Sequence, residues 1–511
     1  MRIFPAAEAS PASAPEPERR GVSLWRRIGE GAQALSRWLA IGTVVLAPLP
    51  FGSVEARWTA LWCMTMALSL ALTGRLGLET GQRRIIASVL LVYALFLGVI
   101  ALQAGNIQPD PLWDRAAALL DLPLQPRASA SQTGSIMALG NSLLLVMTFC
   151  RIVLLAADRR DAERLFRILA WAGLAYALFA VVSFALDPTT VLWRSKPAYL
   201  GNLTGTFINR NTAATFFGSL AVFWLLLLIS EIRFGRSSDL RASERLWLLA
   251  HGRDLKPVAL FVGLLLCVAA TAATGSRAGF VLTLAVLSVA GCLYARLTVA
   301  RLRSHAWAWV AAAILIVLFV EMLGGSVARR VQMMGLDDQN RFEVYRASLD
   351  LIAQHPWLGI GLGNFAAVFP SVRPSTILIA GFWDRAHSTP LEIAIEMGLP
   401  FAGLAGLLWL WLGGKLIAGS LRRRDPLVIA GCAVGLLGTL HSLVDFSLQI
   451  PGYAVLFAAA TGLGLACASA GPGISGDIRI RAWRSPSGRG ANGFRAWRLA
   501  GRVRHGRPSP R

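Results

Sequence analysis

The stretch Trp383-Asp384-Arg385-Ala386-His387-Ser388-Thr389-Pro390-Leu391-Glu392 divides a long polar segment from a long apolar one. The polar segment covers about residues 324–386, and the apolar run continues from Leu391 to Leu412. A helix built from an apolar run of this length can cross the hydrocarbon core of a bilayer. We therefore predict that His387 stands where a loop enters a membrane.

The composition of the whole chain indicates the same class of protein. Of the 511 residues, 55% are hydrophobic and only 15% are charged, although a soluble domain carries about a quarter charged residues. Repeated apolar runs lack the charged face of a soluble helix. We predict an all-α polytopic membrane protein with about twelve transmembrane helices. The predicted spans cover about residues 36–51, 58–74, 85–103, 133–156, 165–186, 212–231, 257–273, 279–295, 306–323, 390–413, 427–446 and 452–470.

Basic residues between these spans predict the topology. Arginine-rich loops lie at residues 75–84, 158–164, 232–256, 296–303 and 415–425. Cytoplasmic loops carry an excess of arginine and lysine, so these loops are predicted inside and the alternate loops outside. Residues 1–34 are predicted as a disordered cytoplasmic tail, 35–470 as the transmembrane domain and 471–511 as a basic cytoplasmic tail. The large outer loop, 324–386, falls between the ninth and tenth spans.

The net charge of +22 is explained by this bias, so we predict no nucleic-acid partner. The six cysteines lie within or beside apolar runs, and none has a CxxC or metal-ligand spacing. They are interpreted as small core residues. We predict no metal site and no cofactor.

Ionisable residues collect at the predicted outer ends of spans. Arg210 precedes the sixth span, Arg277 the eighth and His387 the tenth, while His441 and Asp445 lie near the outer end of the eleventh. Arginine is disfavoured in short outer loops, so the presence of Arg210 and Arg277 at these positions requires an explanation. Arginine forks bind phosphate oxygens, and helix N-termini favour anions. The alternative is that each arginine extends to lipid headgroups.

His387 and Glu392 are candidates for catalysis and its support. Ser388 or Thr389 is predicted to cap the following helix, with Pro390 in its first turn, so that the cap does not require His387. An imidazole near neutral pH can take a proton from a hydroxyl. Glutamates within a span are expensive and often functional, although Glu392 can also simply pair with an arginine.

The order of several motifs resembles the O-antigen ligase and O-antigen polymerase superfamily. They are Asn209-Arg210-Asn211, Gly275-Ser276-Arg277-Ala278-Gly279, then Arg341, His355-Pro356-Trp357-Leu358-Gly359-Ile360-Gly361 and Asn364-Phe365, and finally Ala386-His387-Ser388 with Gly398 eleven residues after the histidine. The resemblance covers about residues 200–415. Where ligases often have Gly, Thr or Tyr, three residues after that glycine, this chain has Phe401.

The resemblance implies a multi-pass glycosyltransferase of the bacterial inner membrane, with its active site on the periplasmic face and the loop 324–386 in the periplasm. It implies metal-independent transfer of a glycan from an undecaprenyl-diphosphate-linked donor to lipid A–core or another glycan acceptor, among membrane lipids. By motif, Arg210 and Arg277 would bind the diphosphate, with Arg341 as a further candidate, and His387 would activate the acceptor hydroxyl. We predict support from His441, Asp445 and Glu392.

The acceptor separates the alternatives within the superfamily: a ligase, a polysaccharide polymerase or an O-linked oligosaccharyltransferase. A transporter or flippase for lipid-linked sugars is the alternative from another class. A transporter should carry its polar residues at mid-span, whereas the candidates in this chain lie at the ends of spans.

Overall fold

The computed structural model of the chain describes residues 16–74, 77–105, 118–119, 121, 129–234, 255–295, 339–375 and 383–470. In these residues the chain forms thirteen α-helices. They are α1 (Glu16–Leu46), α2 (Ala56–Ala71), α3 (Thr80–Ala104), α4 (Gln132–Leu155), α5 (Arg159–Leu186), α6 (Arg210–Phe234), α7 (Lys256–Ala273), α8 (Arg277–Ala295), α9 (Gln339–Gln354), α10 (Phe365–Val372), α11 (Thr389–Arg422), α12 (Pro426–Ser442) and α13 (Pro451–Ala468). Short strands β1 (Thr190–Val191) and β2 (Arg194–Ser195) pair antiparallel, with Thr190 opposite Ser195.

The described helices fit an all-α polytopic membrane protein. Eight of those in the described ranges are long and apolar enough to cross a membrane: α3, α4, α5, α6, α7, α8, α11 and α13. Helix α12 is apolar but shorter, and α1 and α2 occupy the positions of the first two predicted spans. The ninth predicted span, 306–323, lies outside the described residues, so the count of about twelve stays a prediction.

The N-terminal segment differs from the prediction. Helix α1 begins at Glu16, so the predicted disorder of residues 1–34 is wrong for residues 16–34. Proline is tolerated in the first helical turn, where Pro17 stands, and Arg26 pairs with Glu30 one turn later at 2.9 Å. The helix ends at Leu46, just before Pro48 and Pro50, which cannot continue its hydrogen bonding.

The loops collect at two opposite ends of the helix bundle. At one end, α6, α8 and α11 begin and α7 and α12 finish; we call it the His387 end. There the side-chain amide of Asn202 donates to Thr274 O at 2.9 Å. At the other, the Arg159 end, α5 and α12 begin, and Arg159 Nη1 lies 2.6 Å from Asp425 Oδ2. This arrangement is expected for spans that alternate in direction.

The helices differ strongly in how much of their surface the protein covers. In their most apolar windows, 94% of α13 and 89% of α6 are buried, against only 17% of α3. Helices α6, α12 and α13 therefore form the centre of the bundle, and α3 lies at its periphery. The central helices approach closely at glycines: a side chain at Gly431 would meet Ala460 O at 2.7 Å.

Helix α11 is broken at Gly398, whose φ of 78° and ψ of 164° are not helical. Pro400 has no N–H to donate to Glu396 O, and Leu399 N instead donates to Pro356 O at 2.8 Å. The freed carbonyl oxygens of Ile395 and Glu396 accept hydrogen bonds from Ile360 N at 2.9 Å and Gly361 N at 3.1 Å. The loop after α9 therefore replaces the helical bonds that are lost at the break.

A small second core lies beneath the segment that carries His387. It joins Val344 and Leu351 of α9, Phe365 of α10, Ala386 and Ile395. The sequence predicts a helix over 340–354 that packs through Phe342, Tyr345, Leu349 and Ile352. The helix is present and Ile352 is buried, but Phe342 and Leu349 are exposed. The buried face runs along Val344, Ser348 and Leu351, one position earlier in the chain than predicted.

Candidate functional site

His387 stands in the loop that enters α11, in a conformation that few side chains adopt. Its φ is 53°, in the left-handed region. The imidazole lies edge-to-face between the rings of Trp383 and Phe446, with both centroids 5.0 Å away. The hydroxyl of Tyr345 donates to the His387 carbonyl oxygen at 3.1 Å. Contacts from three separate segments therefore hold this residue in place.

The start of α11 is organised differently from a side-chain-capped helix. Ser388 occupies the N-cap position as expected, but its side chain makes no capping hydrogen bond, and Pro390 lies in the first turn. Glu392, only 3% exposed, turns back toward the loop instead. Its Oε2 accepts from Ala386 N at 2.8 Å, and its Oε1 accepts from Arg385 Nη1 at 3.2 Å. A carboxylate in a first turn also interacts favourably with the helix dipole.

Glu392 thus fixes both residues that precede His387. Burial opposes the charge of Arg385, but the carboxylates of Glu392, Glu396 and Asp384 outweigh it and raise the pKa of Arg385. The guanidinium therefore stays charged, and the clamp between Arg385 and Glu392 persists. The predicted pairing of Glu392 with a neighbouring arginine is present, and it also positions the loop.

Arg210 and Arg277 are the first residues of α6 and α8. Their helices start side by side, because a side chain at Gly279 would lie 2.5 Å from the β-carbon of Ala214. Thr283 meets Gly218 one turn further along both helices, so α6 and α8 run parallel from the His387 end. The two arginines and the two helix N-termini consequently lie at the same end of the bundle.

The surroundings of the two arginines differ. The Arg210 guanidinium lies 5.3 Å from the centroid of the Tyr199 ring, a cation–π distance. Arg277 is exposed and forms no ion pair with any described residue. The guanidinium group of Arg277 is therefore accessible from solvent.

His441 and Asp445 belong to a buried polar cluster and are each 1% exposed. His441 Nδ1 lies 2.8 Å from Thr215 Oγ1 and 3.1 Å from Ser447 Oγ. The Asn211 amide donates to Asp445 Oδ2, and Phe446 N donates to Asp445 Oδ1 at 2.7 Å. The cluster ties the first turns of α6 to the connection between α12 and α13.

These contacts bring three of the predicted site residues together. Phe446 packs on the His387 ring, the adjacent Asp445 binds Asn211, and Asn211 follows Arg210 in the chain. Sequence reasoning missed the partners Phe446, Trp383, Thr215 and Ser447. Thr215 had a usable signal, because it stands four residues after Asn211 and therefore on the same face of α6.

Arg341 lies in α9, four residues before Tyr345, whose hydroxyl contacts the His387 carbonyl. Its backbone therefore stands on the face of α9 that carries Tyr345, but its side chain falls outside the described part of the chain. Within the residues that the structure describes, no three His, Cys, Asp or Glu side chains converge as metal ligands do. The absence of a metal stays a prediction.

Comparison with known protein families gives a match over part of the chain. Residues 262–408 match the family model described as O-Antigen ligase. The matched segment runs from α7 into α11 and includes Arg277, Arg341 and His387, while Arg210, His441 and Asp445 lie outside it. No curated protein matches the chain. The resemblance to the O-antigen ligase superfamily is thereby confirmed, and it indicates a membrane glycosyltransferase of the ligase or polymerase type.

Proposed function

We propose that this protein transfers a glycan from an undecaprenyl-diphosphate-linked donor to an acceptor hydroxyl, on the periplasmic face of the bacterial inner membrane. One observation carries the proposal. The loop of His387, clamped by Glu392, packs through Phe446 against the segment that binds the first turn of α6, where Arg210 stands. A candidate base and a candidate diphosphate site thus lie at the same end of the bundle.

The donor diphosphate would bind at the starts of α6 and α8. The dipole at a helix start favours an anion, and two parallel helices place two such starts side by side. Asn209 Oδ1 already accepts from Asn211 N, and Ser276 Oγ accepts from Gly279 N, so the dipoles and the arginines carry the proposed attraction. Arg210 and Arg277 add guanidinium forks that match phosphate oxygens. Arg341, one turn before Tyr345, is the third arginine that we assign to the diphosphate.

The transfer step exchanges one bond for another. The His387 imidazole takes the proton of the acceptor hydroxyl as its oxygen bonds to the anomeric carbon of the donor sugar. The bond from that carbon to the phosphate oxygen breaks, and its electron pair stays on the departing diphosphate. Preorganised positive groups that meet such developing charge often supply the largest catalytic contribution. Because arginines and helix starts fill this role, the proposal invokes neither a metal nor another cofactor.

The buried cluster around His441 and Asp445 supports this site. His441 is bonded to Thr215 and Ser447 through Nδ1, and Asp445 to Asn211. We therefore assign His441 and Asp445 to holding the start of α6 in register with the His387 loop. Glu392 has the corresponding role on the other side of His387.

The acceptor decides which member of the superfamily this chain is, and the glycans of a deletion strain report it. A ligase deletion leaves lipid A–core without polymer while the lipid-linked polymer persists. A polymerase deletion leaves single-repeat products, and an oligosaccharyltransferase deletion leaves proteins unglycosylated. Complete lipid-linked glycan retained on the cytoplasmic leaflet would instead support a flippase. An unchanged glycan profile would contradict every one of these assignments.

The face of the membrane is tested by reporter fusions after residues 350 and 480. We expect a periplasmic signal at residue 350, within the predicted loop 324–386, and a cytoplasmic signal at residue 480. A cytoplasmic signal at residue 350 would contradict the mechanism as well as the topology, because the donor glycan is used outside.

A further inference from the structure

A cavity of about 380 Å³ lies between α3, α4, α11 and α13. Its walls are mainly apolar and aromatic, with Val92, Phe96, Phe149, Phe401 and Phe457 among them. Its volume falls within the range of small-molecule pockets. Such walls match hydrocarbon and exclude the sugars or the phosphates of a donor headgroup.

The cavity adjoins the outside of the bundle at the break in α11. A second groove, of about 520 Å³, is lined by Leu95, Leu102, Pro400 and Phe401. Phe401 lines both spaces. Leu95 and Leu102 are exposed on the surface of α3, which a bilayer would cover. Phe401 therefore stands between the lipid-facing groove and the cavity, where a chain from the membrane would enter.

The cavity also has a polar side, next to His387. Arg385, Thr389, Glu392, Glu396 and Gln449 line it. Two carboxyl groups and one guanidinium give it no net positive charge, and that guanidinium is already bonded to Glu392. A diphosphate gains nothing at this wall, in contrast to the starts of α6 and α8.

The polar atoms of this side call for a partner that donates hydrogen bonds. Gln449 Oε1 and Thr389 Oγ1 are buried and have no hydrogen-bond partner among the described residues. An amide oxygen can only accept, and phosphate oxygens can also only accept when ionised. A hydroxyl can donate to Gln449 Oε1 and bond Thr389 Oγ1 in either direction. The groups of this wall therefore fit the hydroxyls of a sugar.

We propose that this cavity binds the hydrocarbon chain of the acceptor lipid, with a hydroxyl-bearing head at Gln449 and Thr389 beside His387. The inference rests on the proposed function. It identifies the second substrate, the acceptor, as a lipid-anchored glycan whose bound head carries hydroxyls rather than phosphate. Donor and acceptor then approach the His387 loop from different sites: the donor from the starts of α6 and α8, the acceptor from the cavity.

Photolabelling of the purified full-length protein in lipid nanodiscs tests the proposal. One probe is an alkyl glucoside with a diazirine in its chain, and the other is an isoprenyl diphosphate with the same group. We expect the glucoside to label peptides of α3, α4 and α11 that line the cavity. The isoprenyl diphosphate should label them at least about tenfold less, since both the charge and the hydrogen bonding disfavour it.

Two tryptophan variants on one helix make the test specific. Val92→Trp fills the cavity and should lower glucoside labelling about tenfold or more, because each excluded methylene weakens binding about fourfold. Leu91→Trp, on the exposed face of α3, is the matched control and should label like the wild type. Gln449→Leu should lower labelling by the glucoside but not by an alkyl diazirine without a sugar.

Equal labelling of both tryptophan variants, or preferential labelling of the cavity by the isoprenyl diphosphate, would overturn the proposal. Labelling needs no catalysis, so it should be retained in His387→Ala. A failure of glycan transfer therefore tests the proposed function separately from the cavity.

Discussion

Arg159 and Arg277 lie at opposite ends of the helix bundle and have opposite surroundings. At the Arg159 end, Arg159 binds both carboxylate oxygens of Asp425, at 2.6 and 3.1 Å, and Glu163 at 3.1 Å. At the His387 end, Arg277 begins a helix, is exposed, and forms no ion pair within the described residues. The charge of Arg159 is neutralised within the protein, whereas the charge of Arg277 is left accessible to an anion.

Carboxylates at the two ends differ in what they hold in place. Asp425 lies at the N-cap of α12, where it accepts from Leu427 N at 3.0 Å and joins two helices through Arg159. Glu392 bonds instead to a loop, and that loop carries the candidate base. Both carboxylates bind an arginine and a backbone N–H, but only Glu392 holds the loop of the candidate base. Substitutions at the two ends should therefore differ in their effect on glycan transfer. We expect transfer to suffer most from substitution of His387, less from Arg277 and Glu392, and least from Arg159.

The largest loss is expected for His387→Ala. Removing a general base costs about 10²- to 10⁴-fold in rate, while binding of the donor at the helix starts should persist. Parallel transfer and donor-binding assays on the purified variant measure both. His441→Ala is the control, because its ring is buried and bonded to Thr215 and should affect stability first. Normal transfer by His387→Ala with failure in a folded His441→Ala would show that the wrong histidine was assigned.

Arg277→Ala should lower the rate of transfer about 10²- to 10³-fold, as expected when one preorganised donor to developing charge is removed. Arg277→Lys should recover little, because lysine keeps the charge but lacks the planar fork. The assay compares kcat/KM and donor affinity. Arg346→Ala is the matched control, an exposed arginine of α9 that pairs with Glu343. Wild-type rates in Arg277→Ala would assign this arginine to lipid headgroups instead.

Glu392→Gln should lower kcat about tenfold to a hundredfold, with the donor KM unchanged. The amide keeps the shape of the side chain but weakens its bond to Arg385, so the His387 loop moves away from its working position. Steady-state kinetics separate kcat from KM. Glu343→Gln, which also weakens a carboxylate–arginine pair, should leave both unchanged. A changed donor KM with normal kcat would contradict the positioning role.

Arg159→Ala should have the smallest effect on transfer and a large one on stability. Breaking this largely buried ion pair from one side costs up to about 3–5 kcal/mol, because Asp425 is left without its partner. Thermal unfolding in detergent, together with transfer per folded molecule, measures the two effects. The double variant Arg159→Ala with Asp425→Asn should recover part of the loss in a double-mutant cycle. A normal melting temperature combined with lost transfer would remove the distinction between the two ends.

Much of the architecture could be predicted because membrane insertion acts on short segments. Eight of the predicted spans have counterparts among the long apolar helices of the described residues, and the ordered motifs around Arg277 and His387 pointed to the family. These features depend on length, hydropathy and local spacing, which a sequence displays directly. The roles of Arg210, Arg277, Arg341 and His387 stay predictions until the variants are tested.

The sequence could not show which apolar helices form the centre. Both α3 and α13 are apolar enough to span a membrane, yet the more apolar of the two, α3, faces outward, and α13 is almost fully enclosed. Lipid tails and protein interiors are equally apolar, so hydropathy does not separate them.

The sequence by itself determined the apolar spans, the arginines at span starts and the histidine at the entry to α11. Only the tertiary structure decided that Ile360 and Gly361 fill the break at Gly398, that Glu392 clamps the segment before His387, and that Phe446 joins this loop to the start of α6. The first set follows from transfer of each segment into lipid. The second depends on contacts made when the chain packs, some between residues far apart in sequence, which no local pattern encodes.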